Sequence, residues 1–178
     1  MRLIIISGRS GSGKTVALHA LEDQGFYCID NLPTSMLPSL VDKLKTEKSP
    51  VAVSIDARAL ADELGMFTEI YQKLETEGIK VEVIYLDADD ATLLKRFSET
   101  RRRHPLTRDG LSLREAISKE TTLLEPLCTA ADLQVDTSHL NLHQLTDMIK
   151  SRVLGNSSSL DLMFVSFGYI SVSNLYPP

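Results

Sequence analysis

The segment Gly8-Arg9-Ser10-Gly11-Ser12-Gly13-Lys14-Thr15 restricts the fold of this chain more than any other feature. It satisfies G-x-x-x-x-G-K-[ST] and follows the short apolar run Leu3 to Ile6. A helical stretch, Lys14 to Gln24, comes next and places Ala17, Leu18 and Leu21 on one face. That order is what a phosphate-binding loop needs. Its glycines let backbone N–H groups turn inward around phosphate oxygens, and the helix beginning near Lys14 adds the positive end of its dipole. Lys14 would bridge the β- and γ-phosphates, and the Thr15 hydroxyl would ligate Mg2+. With glycine near 7% of residues, a chance match in a chain of this length is expected about 0.01 times. The expected ligand is therefore ATP or GTP with Mg2+, held by Gly8, Arg9, Ser10, Gly11, Ser12, Gly13, Lys14 and Thr15.

Strand-like and helix-like patterns alternate along the rest of the chain. Short apolar runs at Phe26 to Ile29, Val51 to Ile55, Val81 to Leu86 and Leu133 to Val135 read as further strands. Gly25 fits the C-cap of the first helix, and Pro33 and Pro38 bracket the start of a weaker one running through Leu44. Helices are expected over about Leu60 to Glu77, Asp90 to Arg102, Leu113 to Leu124 and Leu140 to Leu154. Alternation of this kind requires crossover connections. The expectation is an α/β P-loop NTPase fold, a kinase-like parallel sheet of about five strands with helices on both faces. Residues 1–154 form the nucleotide-binding domain. Gly155-Asn156-Ser157-Ser158-Ser159 reads as a linker, and residues 155–178 together as linker and remnant of a C-terminal domain, too short to bury a core.

Charge and composition exclude several classes. The chain has 178 residues, with 19 basic against 24 acidic side chains, a formal net charge of −5. That balance argues against a globally basic nucleic-acid coat but leaves room for a local basic patch. No apolar run approaches the roughly 18 residues of a membrane span, and the start lacks the pattern of a signal peptide. A cytoplasmic protein is expected. Cys28 and Cys128 form no CxxC or ligand-spaced pair and read as reduced core thiols.

Asp56 ends the run Val51 to Ile55 as a Walker B aspartate does, where its carboxylate could hold Mg2+ or its water opposite Thr15. Asp30 and Asp87 also end strands, and the plainer reading of all three is turn initiation or helix capping. Arg101-Arg102-Arg103-His104 stands before Pro105. Cations there would favour a helix C-terminus on dipole grounds alone. They would also serve as a lid over a transferring phosphoryl group, or as a patch for RNA phosphates. The candidate catalytic residues are Lys14, Asp56 and Arg102. No N-K-x-D guanine signature is present, so spacing does not name the base.

The continuation beyond the loop is more specific. Leu21-Glu22-Asp23-Gln24-Gly25-Phe26-Tyr27-Cys28-Ile29-Asp30-Asn31-Leu32-Pro33 closely resembles the RapZ/YvcJ family of P-loop proteins. So do Ser54-Ile55-Asp56-Ala57-Arg58, Tyr85-Leu86-Asp87-Ala88-Asp89 and Thr100-Arg101-Arg102-Arg103-His104-Pro105-Leu106. Ser166-Phe167-Gly168-Tyr169 resembles the opening of that family's second domain, whereas Ile170 to Pro178 does not resemble its continuation. The resemblance implies ATP and GTP hydrolysis, with a GTP-associated segment at Asp56, Ala57, Arg58 and Ala59. It also implies an RNase adapter role: binding a small regulatory RNA, presenting it to an endoribonuclease and sensing glucosamine-6-phosphate.

Three functions remain open on the residues. One is a regulatory nucleotide-binding adapter with slow NTPase activity, and another a small-metabolite kinase with Asp30 or Asp56 as base. The third is a scaffold that binds nucleotide without turnover. In the tail, Leu160, Leu162, Phe164 and Phe167 would present an unpaired edge that invites a homo-oligomer.

Overall fold

Short apolar runs become parallel strands wherever helices can cover both of their faces. A computed structural model of the chain describes residues 2–45, 49–58 and 66–155. Ala59 and the tail beyond Gly155 lie outside these. Among the described residues the strands are β1 (Arg2–Gly8), β2 (Tyr27–Ile29), β3 (Val51–Ser54), β4 (Lys80–Asp87) and β5 (Leu133–Asp136). They pair in the order β2-β3-β1-β4-β5, every pair parallel. The chain steps to one side of β1 and then to the other, so a crevice opens above the C-terminal end of β1. The glycine loop leaves the sheet there.

The helices are α1 (Lys14–Glu22), α2 (Leu37–Leu44), α3 (Met66–Thr76), α4 (Asp90–Thr100), α5 (Leu113–Thr129) and α6 (Leu142–Leu154). Period-two alternation in β1 divides the core. Ile4 and Ile6 pack with Ala17, Leu21, Leu145 and Ile149 of α1 and α6. Leu3 and Ile5 pack with Val41, Phe67 and Leu124 of α2, α3 and α5. All four β1 residues are fully buried, each worth about 1.5–3 kcal/mol in transfer terms. Glu82 of β4 is a charge among these apolar rows, and Arg2 (3.0 Å) and Arg152 (2.9 Å) pair with it.

Helix ends show where local chemistry overrode periodicity. Gly25, at φ 83°, stops α1. The Phe26 N–H donates to Leu21 O and the Gly25 N–H to Glu22 O, a Schellman pair. Helix α4 ends at Thr100, two residues early, because Arg101 takes a left-handed φ of 51° and turns the chain out of the helix. Helix α5 runs past the expected Leu124 to Thr129 and through Pro126. A proline there forfeits a single helical N–H, while the helix goes on to bury Leu127 completely. At its start Ser112 accepts from the Glu115 N–H (3.3 Å) and Glu115 accepts from the Ser112 N–H (2.9 Å). Ser112→Ala is expected to cost about 1 kcal/mol in a urea titration, with Ser112→Gly costing only a few tenths. No loss in Ser112→Ala would show that the capping box contributes nothing.

Cys28 and Cys128 are free and half-buried. Burial pushes both thiols up, Cys28 to about 11. Among the described residues no helix is long and apolar enough to cross a membrane.

Candidate functional site

The loop between β1 and α1 is shaped by glycines at positive φ: Gly8 at 138°, Gly11 at 89° and Gly13 at 107°. A Cβ on Gly8 would lie 1.8 Å from the Leu86 carbonyl oxygen, and one on Gly13 would lie 2.7 Å from Leu145 Cδ2. The Ser12 N–H closes a turn onto Arg9 O at 3.1 Å. Lys14 arches back over the loop, donating from Nζ to Gly8 O (2.6 Å) and Arg9 O (3.1 Å). Burial pushes its ammonium below the usual lysine range, and the nearby carboxylates, Glu120 foremost and then Asp56 and Asp30, oppose that shift. The Ser12 hydroxyl is buried with no protein partner among the described residues. An orphaned hydroxyl inside a glycine cradle, beside an ammonium, fits a bound phosphate.

Arg9 faces the other way. Its guanidinium donates to Asp87 Oδ1 (2.6 Å), Asp90 Oδ1 (2.5 Å) and the Ala88 carbonyl, tying the loop to the end of β4. The Arg9 side chain and Asp87 are thus occupied with each other, and Arg9 can offer a phosphate only its backbone. Asp90 caps this arrangement from the first turn of α4.

Across the cleft, Asp56 is buried at the end of β3. Its Oδ1 accepts from the Arg58 N–H (2.9 Å), and its Oδ2 from Arg58 Nε (3.0 Å) and Nη2 (2.8 Å). With the Asn31 amide oriented to satisfy both of its ends, Asn31 donates to both Asp56 oxygens and accepts from Arg58 at 3.2 Å. Asn31 holds a left-handed φ of 56° to do so. Asp30 accepts from the Ser54 hydroxyl, which itself accepts from the Asn31 N–H at 2.7 Å. Of the segment Asp56 to Ala59, Asp56 and Arg58 lie on the cleft wall, with Ala57 buried beneath; Ala59 lies outside the described residues.

The cleft has a volume of about 890 Å3 and brings together the loop from Ser10 to Thr15, Asp30, Asp56, Arg58, Arg102 and Arg103. Leu140, Leu142 and Leu145 supply an apolar wall. Arg101, Arg102 and Arg103 are exposed; Arg101 is the C-cap residue of α4, and Arg102 and Arg103 lie beyond its last turn, on the cleft lining.

Three contributors were not expected from the sequence. Arg96 donates to Gly11 O (2.9 Å) and Thr137 O (2.6 Å), clipping the loop to the segment after β5. Thr137, buried, lies within hydrogen-bond distance of Ser12 O and Asp87 O, both at 2.9 Å. Glu120, fully buried in α5, accepts from the Ser10 N–H (2.9 Å), the Ser10 hydroxyl (2.6 Å) and His104 Nε2 (3.0 Å). Burial works against its charge, but His104, Lys14 and Ser10 hold its carboxyl below the usual range. One signal was available for Glu120. It shares the stripe of Ala116, Ile117, Leu123, Leu124 and Leu127, where a glutamate stands among apolar residues.

Comparison with known proteins bears on the fold and the family. A shikimate kinase from Acinetobacter baumannii in complex with shikimate superposes with a TM-score of 0.58 at 18% identity, over 88% of this chain and 95% of its own. The YorR protein of Bacillus subtilis, in complex with phosphorylated GDP, gives 0.57 at 18% identity, over 88% of this chain and 98% of its own. At such identities the likeness establishes the fold, an α/β P-loop NTPase fold shared with kinases. Sequence relatives are far nearer. A nucleotide-binding protein of Hahella chejuensis is 55% identical over 174 residues, covering 95% of this chain and 61% of the relative. One from Pseudomonas aeruginosa is 58% identical with the same coverage. The chain thus spans about 61% of the length of the relatives it matches. The family of RapZ-like N-terminal domains matches residues 1–157. With its glycine loop, strand order and cleft in place, the chain belongs to the RapZ-like family and carries that family's N-terminal domain.

Proposed function

We propose that the cleft binds ATP or GTP with Mg2+ and hydrolyses it slowly, as the nucleotide-sensing part of a regulatory adapter. The observation that carries this reading is the loop itself: a glycine cradle holding an orphaned Ser12 hydroxyl, with the Lys14 ammonium folded across it. Lys14 exchanges its carbonyl partners for phosphate oxygens, and backbone N–H groups at the start of α1 face the same anion. Thr15, exposed in the first turn of α1, and Asp56 offer the hard oxygen donors that Mg2+ takes. Bound Mg2+ would neutralise charge developing on the phosphates. The acceptor capacity of Asp56 is filled by Arg58 and Asn31, so Arg58 must swing away before the carboxylate can hold Mg2+ or its water. The Arg58 side chain is 47% exposed, so this exchange disturbs no packing. It also frees a guanidinium for a phosphate. RNA, an endoribonuclease and glucosamine-6-phosphate enter the proposal as partners of the longer family proteins, with this domain as their nucleotide-dependent part.

Arg102 and Arg103 stand on the cleft rim as donors to charge that develops during transfer. Arg102→Ala is expected to lower kcat for NDP release about 100-fold while leaving nucleotide affinity nearly unchanged. A mutant with parental turnover, and stability lower by about 0.3–1 kcal/mol, would return these arginines to helix capping.

One observation favours a second reading, a small-metabolite kinase. Asp30 lies on the cleft wall, oriented by the Ser54 hydroxyl and placed to accept a proton from an incoming alcohol. NDP release stimulated by a hydroxylated acceptor would select the kinase; slow release that no acceptor changes would select the adapter.

A further inference from the structure

Glu120 and His104 are buried, do not line the cleft, and take no part in the chemistry proposed above. A buried carboxylate–imidazole pair is weak evidence for stability, because desolvation offsets most of its attraction. Its contacts indicate another use. Glu120 holds the loop at Ser10 through both the N–H (2.9 Å) and the hydroxyl (2.6 Å). On its other side it faces His104 Nε2 at 3.0 Å. His104 Nδ1 accepts from the Leu106 N–H at 3.2 Å, so the proton resides on Nε2 and the imidazole donates to Glu120. The Phe97 ring, 5.1 Å away centroid to centroid, holds the imidazole from α4. His104 directly follows Arg103. One line of hydrogen bonds therefore runs from the phosphate loop through α5 to the arginine segment.

We infer that Glu120 and His104 are positioning residues that fix Arg102 and Arg103 in place relative to the phosphate loop. The inference rests on the nucleotide reading of the cleft. Guanidinium groups placed before the reaction stabilise developing charge without reorganising, whereas a segment free to drift loses that benefit. Arg101 to Arg103 are exposed, and their side chains make no hydrogen bond or ion pair among the described residues, so anchorage at His104 sets where they stand.

Two substitutions divide the imidazole's two bonds. His104→Asn keeps an acceptor near Nδ1 for Leu106 but does not reach Glu120. His104→Gln keeps a donor near Nε2 for Glu120 and gives up the Leu106 contact. Steady-state NTPase kinetics and titration with a fluorescent nucleotide should then separate kcat from Kd. The expected result is a 10- to 100-fold loss of kcat in His104→Asn with Kd within about twofold of parent, while His104→Gln stays close to parent. Parental kcat in His104→Asn, or an equal fall in His104→Gln, would overturn the inference. Trypsin cleavage after Arg101 to Arg103 without nucleotide supplies a second arm. Cleavage should be faster in His104→Asn but not in His104→Gln, and equal rates in parent and His104→Asn would also overturn it. A parent that binds no nucleotide would instead refute the nucleotide reading, and the trypsin order would still decide whether the link holds the segment. Should His104→Asn fail to fold, Glu120→Asp, which draws the carboxylate back from Ser10 and His104, takes its place, with faster trypsin cleavage after Arg101 to Arg103 as the deciding readout and an unchanged cleavage rate overturning the inference.

Discussion

Gly8→Ala is expected to destabilise the domain by about 4 kcal/mol, lowering Tm by roughly 8–16 °C in a circular dichroism melt. Gly8 is the last residue of β1 and pairs with Leu86 of β4. At φ 138° the missing side chain points into the neighbouring strand rather than away from the sheet, so an added Cβ meets the Leu86 carbonyl at 1.8 Å. No rotamer relieves a clash between a Cβ and a backbone. Either β1 and β4 part at this rung or the loop changes its exit, and both outcomes damage the cradle. Backbone strain alone costs about 1–3 kcal/mol at such a φ, and overpacking adds a similar amount. Against a total stability of about 5–15 kcal/mol, that is a large fraction. Gly78→Ala is the control, since its φ of 76° is also positive but its Cβ would meet nothing within 4 Å. It should cost about 1–2 kcal/mol. If both variants melt together, close approach to β4 is not what requires glycine at position 8.

The fold was legible because its strands are bounded apolar runs and its loop motif demands a strand before it and a helix after it. Strand order was less so, since nothing in the run Val51 to Ser54 says that it lies beside β1 rather than at an edge. Within the site, legibility followed the kind of chemistry. Lys14, Thr15 and the glycines act through a local pattern, and the structure sets them together around one cradle. Arg9 belongs to that pattern, yet its side chain was claimed by Asp87 and Asp90, 78 and 81 positions away. Arg96, Thr137 and Glu120 act across similar distances, so spacing could not reveal their contact with the loop. Their types alone read as a surface cation, a turn residue and a solvated helix charge. Only the apolar company of Glu120 along α5 hinted that it must find a buried partner.

Mg-ATP or Mg-GTP at about 100 times its dissociation constant is expected to stabilise the domain by about 2.7 kcal/mol, a rise in Tm of roughly 5–11 °C. Lys14→Ala should abolish most of that rise. Lys14 has two roles, as a donor to the loop and as a charge in the site. Lys14 Nζ donates to Gly8 O and Arg9 O, so deleting it removes hydrogen bonds from the loop as well as a charge from the site. Burial already disfavours the ammonium, which its carboxylate neighbours retain only by opposing that cost. Lys14→Met keeps the apolar stem and removes the buried charge. Without ligand it should melt a few degrees below the parent, because the Gly8 and Arg9 carbonyls lose a donor and the neighbouring carboxylates a cation. What it lacks is the charge-assisted bond to phosphate, and with that goes the response to nucleotide. Each variant is compared with itself, with and without Mg-nucleotide, so that a loosened loop is not mistaken for lost affinity. A parent whose Tm ignores both nucleotides, or a Lys14→Met protein that shows the full shift, would mean that this cradle does not hold a nucleotide through Lys14.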